Sequence, residues 1–255
     1  MNQFSHYVGI DYSGAAQATT RSKTIQVYQA ADDSLVEEVP SLATNSRSRR
    51  NWNRQEVFEW LLELFQQKSP VIVGMDHGFS FPLSYFHRHQ LSTWDDFLQD
   101  FAEQWPEEPT ATVDDFRRKG LRQGDAKELR VTEQWTSSAK SVFQFDVQGS
   151  VAKSTHAGLP FLYQLRQALS EVHFWPFDGW SIPAKTSVIA EIYPSLFRNR
   201  YPRKDRTPDQ QDAYAVCRWL MEMDSQFGME RFLEPPLSTE LREQARLEGW
   251  ILGVT

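Results

Sequence analysis

The order of strand-like and helix-like patterns along the chain is the sequence feature that most constrains its fold. Apolar runs and alternations predict five strands, over residues 6–11, 24–29, 35–39, 71–76 and 187–193. Apolar residues at helical spacing predict helices over residues 54–67, 159–172, 209–223 and 238–247. The first three strands follow one another as a meander, whereas helices precede the last two, which are therefore expected to be parallel. This order predicts an α/β fold in which a mixed five-stranded sheet has helices on both faces.

An aromatic-rich segment over residues 83–135 interrupts this order, and we expect it to be a mostly helical insertion. Prolines and glycines divide it into short pieces. Residues 136–157 are rich in Ser, Thr and Gly, and their pattern does not decide between helix and loop. At 255 residues, the chain is long enough for one large domain or two small ones. We expect one domain over residues 1–255 that carries the insertion.

Cysteine content and hydropathy exclude several classes of protein. The single cysteine, Cys217, excludes an internal disulfide and a cysteine-based zinc site, and its apolar helix face indicates a core residue. The first seven residues have neither the basic start nor the apolar run of a signal peptide. No apolar run approaches the roughly 20 residues that cross a bilayer. We therefore expect a cytoplasmic protein without a membrane partner, and the sequence does not indicate its oligomeric state.

The net charge of −7 is unevenly distributed. Residues 92–115 contain eight acids and no Lys or Arg, and the role of this segment stays open. Two basic stretches, residues 45–54 and residues 116–130, lie in the remainder of the chain. Each stretch alone is typical of a solvated surface, but together they leave a nucleic-acid partner open.

Five acids stand where the predicted fold can bring them together. Asp11 ends the first strand, Asp76 ends the fourth, and Glu191 lies near the end of the fifth. Asp209 and Asp212 share one helix face near its N-terminus. Because open α/β sheets bind ligands at the carboxyl ends of their parallel strands, we expect these carboxylates to meet at one edge.

Clustered carboxylates have a specific chemical use. Their oxygens suit hard cations such as Mg²⁺ or Mn²⁺, and two such ions can activate a water and stabilise the leaving oxygen in phosphodiester cleavage. Each acid also has an ordinary explanation, as a turn cap, a helix-terminus charge or the partner of an arginine. For Asp11, Asp76 and Asp212 together we favour a catalytic metal site, and Glu191 and Asp209 complete the predicted ligand set.

Four segments resemble the family called domain of unknown function 429: in chain order VGIDYSG, VIVGMD, AEIYPSLFR and DQQDAYAVCRWL. That family is regarded as ribonuclease H-like and is predicted to contain nucleases. The resemblance implies a ribonuclease H-like fold and matches Asp11, Asp76 and Asp212 to metal-ligand positions. Asp209 and Asp212, followed by Ala213, also resemble the helix motif of Holliday-junction resolvases. A metal-dependent nuclease that uses Mg²⁺ or Mn²⁺ is therefore the function that the resemblance implies.

Other residues indicate a site less specifically. His77 follows Asp76 and is a candidate fourth ligand or proton shuttle, although a histidine at a strand end is more often structural. Residues 149–155 could line a phosphate pocket, with Lys140 and Lys153 as phosphate contacts, but they lack the spacing of a P-loop.

Two further functions remain as alternatives to a nuclease acting on nucleic acid. An actin-like ATPase or sugar kinase-type phosphotransferase also begins with an Asp after a strand. That class needs two domains around the nucleotide, and no Gly-rich segment follows Asp212. A non-catalytic protein could bind a partner through the insertion, but the retained acids count against this alternative.

Overall fold

The computed structural model describes residues 2–14, 16–31, 34–41, 51–106, 108, 110–136, 138–147, 149–226 and 228–255. The strands in these ranges are β1 (His6–Asp11), β2 (Gln26–Ala31), β3 (Glu37–Glu38), β4 (Val71–Asp76), β5 (Val172–Trp175) and β6 (Ser187–Glu191). The α-helices are α1 (Arg54–Phe65), α2 (Leu83–His89), α3 (Trp94–Gln104), α4 (Val113–Arg118), α5 (Val131–Gln134), α6 (Ala152–Ala168), α7 (Pro208–Ser225), α8 (Glu230–Leu233) and α9 (Thr239–Glu248). Two short 3₁₀ turns, Pro194–Leu196 and Arg198–Arg200, lie between β6 and α7.

The strands form one mixed sheet in the order β3-β2-β1-β4-β6-β5. The β1–β2 and β2–β3 pairs are antiparallel, as the predicted meander requires. The β1–β4 and β4–β6 pairs are parallel, so the predicted continuation of the sheet is also confirmed.

The prediction of five strands is wrong, because β5 adds a sixth strand, parallel to β6, at the sheet edge. Its four residues are all buried, so they show no alternation between apolar and polar positions. The predicted helix over residues 159–172 extended into this strand, whereas α6 already ends at Ala168. That helix also begins earlier than predicted, at Ala152, where small and polar residues of low helix propensity are buried in the fold.

Helices cover both faces of the sheet, as predicted. On one face, buried residues of β1, β4 and β6 pack in one apolar cluster with α1, α3 and α6. On the other face, alternate residues of the same strands pack with α7 and with the C-terminal residues around α9. The segment over residues 83–135, which we predict to be an insertion, contains α2 to α5. None of the helices in the described ranges has the length and apolar character needed to cross a membrane.

The acids of residues 92–115 that have described partners cap helices of the insertion or pair with cations of the insertion and of α6. Asp96 and Asp115 complete the N-terminal capping boxes of α3 and α4. Three others form ion pairs within the fold: Asp95 with Arg166, Asp100 with Arg122, and Asp114 with Lys153. These contacts give the acidic segment a structural role.

The helix α7 crosses the sheet at a distance that only glycine permits. A Cβ atom on Gly9 of β1 would lie 2.2 Å from the carbonyl oxygen of Ala213, and one on Gly74 of β4 would lie 2.8 Å from a methyl group of Val216. Real Cβ atoms do not approach other atoms so closely, so any side chain would push the helix away. The contact fixes the height of α7 above the strands and brings Asp212, the residue before Ala213, over the end of β1.

We therefore expect Gly9→Ala to destabilise the protein by about 3 kcal/mol, because the backbone of α7 must move to admit one methyl group. Urea unfolding measures the change. The matched control is Gly228→Ala, whose added Cβ would meet no atom closer than 3.7 Å. Equal free energies of unfolding for the two variants would contradict the close contact.

Candidate functional site

Asp11 and Asp76 lie side by side at one edge of the sheet. They are register partners at the ends of the parallel strands β1 and β4, so the predicted adjacency is confirmed. Side chains two residues apart on a strand share a face, and Gly9 and Gly74 face α7. Both carboxylates therefore lie on the α7 side of the sheet.

Asp209 and Asp212 approach the same place from the first turns of α7. Both contribute negative charge that acts on Asp11. Oδ2 of Asp212 accepts a hydrogen bond from Arg198 at 3.1 Å. Oδ1 of Asp212 is buried and has no hydrogen-bond partner among the described residues. We call these four acids, Asp11, Asp76, Asp209 and Asp212, the aspartate group.

The aspartate group disfavours its own ionisation. Burial raises the pKa of Asp11 well above its ordinary value, and the charges of the other three acids raise it further. Burial also raises the pKa of Asp76 well above the ordinary range, and Asp212 adds to that effect. The pKa values of Asp209 and Asp212 are raised as well, mainly by burial. The guanidinium of Arg198 opposes these shifts, so a cation is favourable here.

Glu191, the fifth acid of the predicted ligand set, is not part of this group. It is the register partner of Met75 rather than of Asp76, so its side chain points to the other face of the sheet. Its two carboxylate oxygens accept hydrogen bonds of 2.6 and 2.7 Å from Arg130, and Oε2 also accepts the amide of Phe79 at 3.0 Å. The structure therefore places Glu191 in a buried ion pair, although its charge also raises the pKa of Asp76, and its role as a metal ligand stays a prediction.

Arg130 is the centre of a buried charge network that the sequence analysis did not find. Its Nε donates to Glu133 at 2.9 Å, and its Nη1 donates to the carbonyl oxygen of Glu248 at 3.2 Å. The carboxylate of Glu248 in turn accepts the amide of Val131 at 2.6 Å. The network ties the insertion to β6 and to the C-terminal end of α9. In the sequence, Arg130 was one cation of a basic stretch, and only the fold identifies its partners.

His77 lies on the opposite side of the sheet from the aspartate group. Its ring contacts Tyr12 and Phe79, at centroid distances of 4.7 and 5.0 Å. A Cβ on Gly158 of α6 would lie 2.8 Å from the ring, so this glycine makes room for the histidine. Burial lowers the pKa of His77 to about 4, and the ring is therefore neutral at physiological pH. These contacts support the structural interpretation of His77.

The predicted phosphate contacts are largely engaged elsewhere. Arg54 is buried and donates to the carbonyl oxygens of Ser13 and Ala16, and the other arginines of residues 45–54 lie outside the described residues. Lys153 is paired with Asp114 at 2.6 Å. Lys140 lines a cleft of about 360 Å³, counted with the solvent at its mouth, together with residues that include Asp76 and Glu191. The stretch over residues 116–130 also supplies ion pairs: Arg117 with Asp146, Arg118 with Asp115, and Arg122 with Asp100.

A third basic segment, which the sequence analysis missed, lies beside the aspartate group. Residues 198–206 connect β6 to α7 and contain five cations and one acid. The cations are Arg198, Arg200, Arg203, Lys204 and Arg206. They line and flank a groove of about 850 Å³, counted with the solvent inside it, that reaches Asp212. A count of charge in short windows could have found this segment.

The side chains of the aspartate group have the chemistry of ligands for a divalent metal, but in this structure they are not close enough together to hold one. Within the described ranges, no three His, Cys, Asp or Glu side chains are arranged so that they could hold a metal ion. The unpaired oxygen of Asp212 and the raised pKa values of Asp11 and Asp76 are nevertheless features that a cation would relieve. Oxygen donors of this kind prefer Mg²⁺ or Mn²⁺.

In comparisons with protein-family models, curated proteins and solved structures, none matches this chain. The resemblance of its four segments to the domain of unknown function 429 family therefore stays a prediction. Its function has to be inferred from the site itself.

Charge repulsion in the aspartate group predicts that Asp11→Asn stabilises the protein in the presence of a metal chelator. The folded-state pKa of Asp11 is raised, so ionisation of this carboxyl costs folding free energy at pH values above that raised pKa. Each pKa unit of the rise corresponds to about 1.4 kcal/mol. The gain should be largest at neutral and alkaline pH, and it should disappear as the pH falls toward the ordinary value of 3.8. Urea unfolding across this range measures it.

The control for this prediction is Asp205→Asn, which removes the same charge from an exposed residue. Its effect on the free energy of unfolding should be small at every pH. A gain for Asp11→Asn that did not depend on pH would contradict the proposed repulsion.

The buried ion pair predicts the opposite effect for Glu191→Gln. This change leaves the guanidinium of Arg130 buried with one charged partner fewer, which should destabilise the protein by about 3 kcal/mol with or without divalent metal. Asp146→Asn is the control, because its pair with Arg117 lies outside the aspartate group, the two side chains are 76% and 35% exposed, and such exposed pairs contribute little. A Glu191→Gln variant as stable as the unmodified protein would show that the ion pair does not stabilise the fold. That result would favour Glu191 as a metal ligand.

Proposed function

We propose that the protein is a metal-dependent phosphodiesterase of the ribonuclease H-like type that acts on nucleic acid. The observation that carries the proposal is the pairing of Asp11 with Asp76 at the ends of adjacent parallel strands, beneath the helix that supplies Asp212. The antiparallel meander followed by parallel strands supports the ribonuclease H-like assignment, and β5 is an addition at the far edge. Residues at the carboxyl ends of parallel strands are where such sheets bind their ligands.

In this proposal Asp11, Asp76 and Asp212 hold Mg²⁺ or Mn²⁺, and Asp209 adds negative charge beside them. A bound divalent ion supplies an activated water and stabilises the charge that develops on the phosphate oxygens. The two strand-end carboxylates are held in rigid positions, because each lies at the end of a strand whose backbone is paired on both sides. Asp212 is pre-positioned by the contact of α7 with the sheet and retains one oxygen without a partner among the described residues.

Arg198 has a part in this proposal as well. In the structure its guanidinium is paired with Asp212 and offsets the negative charge of the aspartate group. Because about half of this side chain is exposed, its guanidinium would be placed to donate to a phosphate oxygen at the edge of the site. Cytoplasmic location is part of the same proposal.

The test combines metal binding with catalysis. Saturating Mn²⁺ should raise the unfolding temperature. A free ion concentration of a hundred times the Kd stabilises the folded state by about 2.7 kcal/mol. Asp11→Asn should abolish this rise. With Mg²⁺ or Mn²⁺ the protein should cleave at least one substrate in a panel of single strands, duplexes, hybrids and branched junctions. Asp11→Asn and Asp212→Asn should each lower the rate about a hundredfold or more.

The control is Glu171→Gln, which changes an exposed carboxylate just before β5, at the opposite edge of the sheet. It should leave both the metal response and the rate unchanged. An unaltered Mn²⁺ response in Asp11→Asn, or the absence of cleavage on every substrate, would overturn the proposal. Metal-dependent hydrolysis of ATP without cleavage of nucleic acid would favour the phosphotransferase alternative.

A further inference from the structure

Hydrogen bonds to α7 hold the groove beside Asp212 in a defined shape. Gln211 of α7 is buried, and its side-chain amide donates to the carbonyl oxygens of Arg198 at 3.0 Å and Tyr201 at 2.8 Å. The hydroxyl of Tyr201 donates to Glu222 at 2.9 Å. These bonds fix the backbone of the connection between β6 and α7 against the helix, so its cations are presented from a defined position.

One further cation helps to hold this backbone in place. The guanidinium of Arg206 lies 3.5 Å from the centroid of the Tyr214 ring, and its Nε donates to the side-chain oxygen of Gln211 at 2.8 Å. Arg206 is therefore engaged within the protein. The stacked geometry also keeps the end of the connection close to the first turns of α7.

The exposed cations of the groove are only partly neutralised by acidic side chains. Arg203 and Lys204 are exposed, and neither forms an ion pair within the described part of the chain. Arg198 and Arg200 are paired with Asp212 and Glu222, but about half of each cationic side chain is exposed. In contrast, three arginines of residues 116–130 lie in ion pairs with neighbouring acids, and Arg130 is buried. The groove is thus the place where positive charge is presented next to the aspartate group.

We propose that this basic groove binds the phosphodiester backbone of a nucleic-acid strand and leads it to the aspartate group. The inference rests on the proposed function, because it names the path by which that substrate reaches the site. Phosphate contacts need several cations along a concave path, whereas a lipid surface contacts a flat or convex face. Asp212 is one of the residues that line the groove, and its negative charge would repel a phosphate unless a divalent ion were bound beside it. Divalent metal should therefore strengthen binding at this groove.

The decisive variant is the double change Arg203→Gln and Lys204→Asn. Its matched control is Lys68→Gln with Lys185→Asn, which removes two exposed cations that precede β4 and β6 at the opposite edge of the sheet. Lys204 and Lys185 both have a left-handed backbone, with φ of 53° and 64°, and asparagine tolerates that conformation. The two double variants therefore carry the same net charge and the same backbone demand.

Binding is measured by the fluorescence anisotropy of a labelled single-stranded oligonucleotide, titrated at several salt concentrations. Ca²⁺ is present to support binding with little turnover. The plot of log K against log salt has a negative slope. Loss of two phosphate contacts should make this slope shallower by about 1.4 for a single strand. The control pair should keep the slope of the unmodified protein. Thermal unfolding confirms that both double variants are folded.

Equal slopes for the two double variants would overturn the inference, as would the absence of binding to single strands, duplexes and hybrids alike. Groove-dependent binding to phosphatidylserine vesicles, with none to nucleic acid, would overturn it in favour of a lipid partner. Asp11→Asn separates the two proposals, because it removes a proposed metal ligand and leaves the exposed cations of the groove in place. Groove-dependent binding without any Mn²⁺ response or cleavage would refute the proposed function and support the inference. Cleavage without dependence on the groove would do the reverse.

Discussion

The packing of α7 on the sheet is the contact on which the candidate site depends. Gly9 and Gly74 let the helix backbone approach to a distance that any side chain would prevent. Because the same helix carries Asp209 and Asp212, this approach sets how near their carboxylates come to Asp11 and Asp76. The buried character of the aspartate group, and with it the raised pKa values of its members, follows from the same contact. Gly9 and Gly74 thus influence the pKa values of the four acids in the aspartate group.

Buried carboxylates on the two faces of the sheet edge differ in how far a neighbouring arginine compensates their charge. On one face, Glu191 is compensated by Arg130 through two short hydrogen bonds, and the resulting network joins the insertion to the C-terminal part of the chain. On the other face, the cation that acts on the aspartate group among the described residues is the half-exposed guanidinium of Arg198. A compensated pair stabilises the fold, whereas a partly compensated group is a candidate for binding a cation. The difference between the two faces therefore supports the proposed metal site more specifically than the number of acids does.

The parts of the fold that could be predicted are those in which the local pattern decides the structure. The apolar runs that end in Asp11 and Asp76 specify strands β1 and β4, and the order of strands and helices then places the two acids together. The ion pair of Glu191 could not be predicted, because side chains alternate along a strand and a shift of one residue moves a carboxylate to the opposite face. The strand β5 was missed because its four residues are buried on both sides. Arg130 required knowledge of partners 61 residues away in sequence, which no local pattern contains.

In the proposed function, the pair formed by Arg198 and Asp212 would make metal binding an exchange of one cation for another. An ion that bound Asp212 would replace a guanidinium that already carries one positive charge. A sodium or potassium ion would therefore add nothing to the charge balance of the group, whereas a divalent ion would add one unit. Arg198 would thus favour a divalent over a monovalent cation at the proposed site, even though sodium and potassium are far more abundant in cells. It would also link metal binding to substrate binding in the proposed reaction, because its guanidinium lies at the groove where a phosphate would arrive.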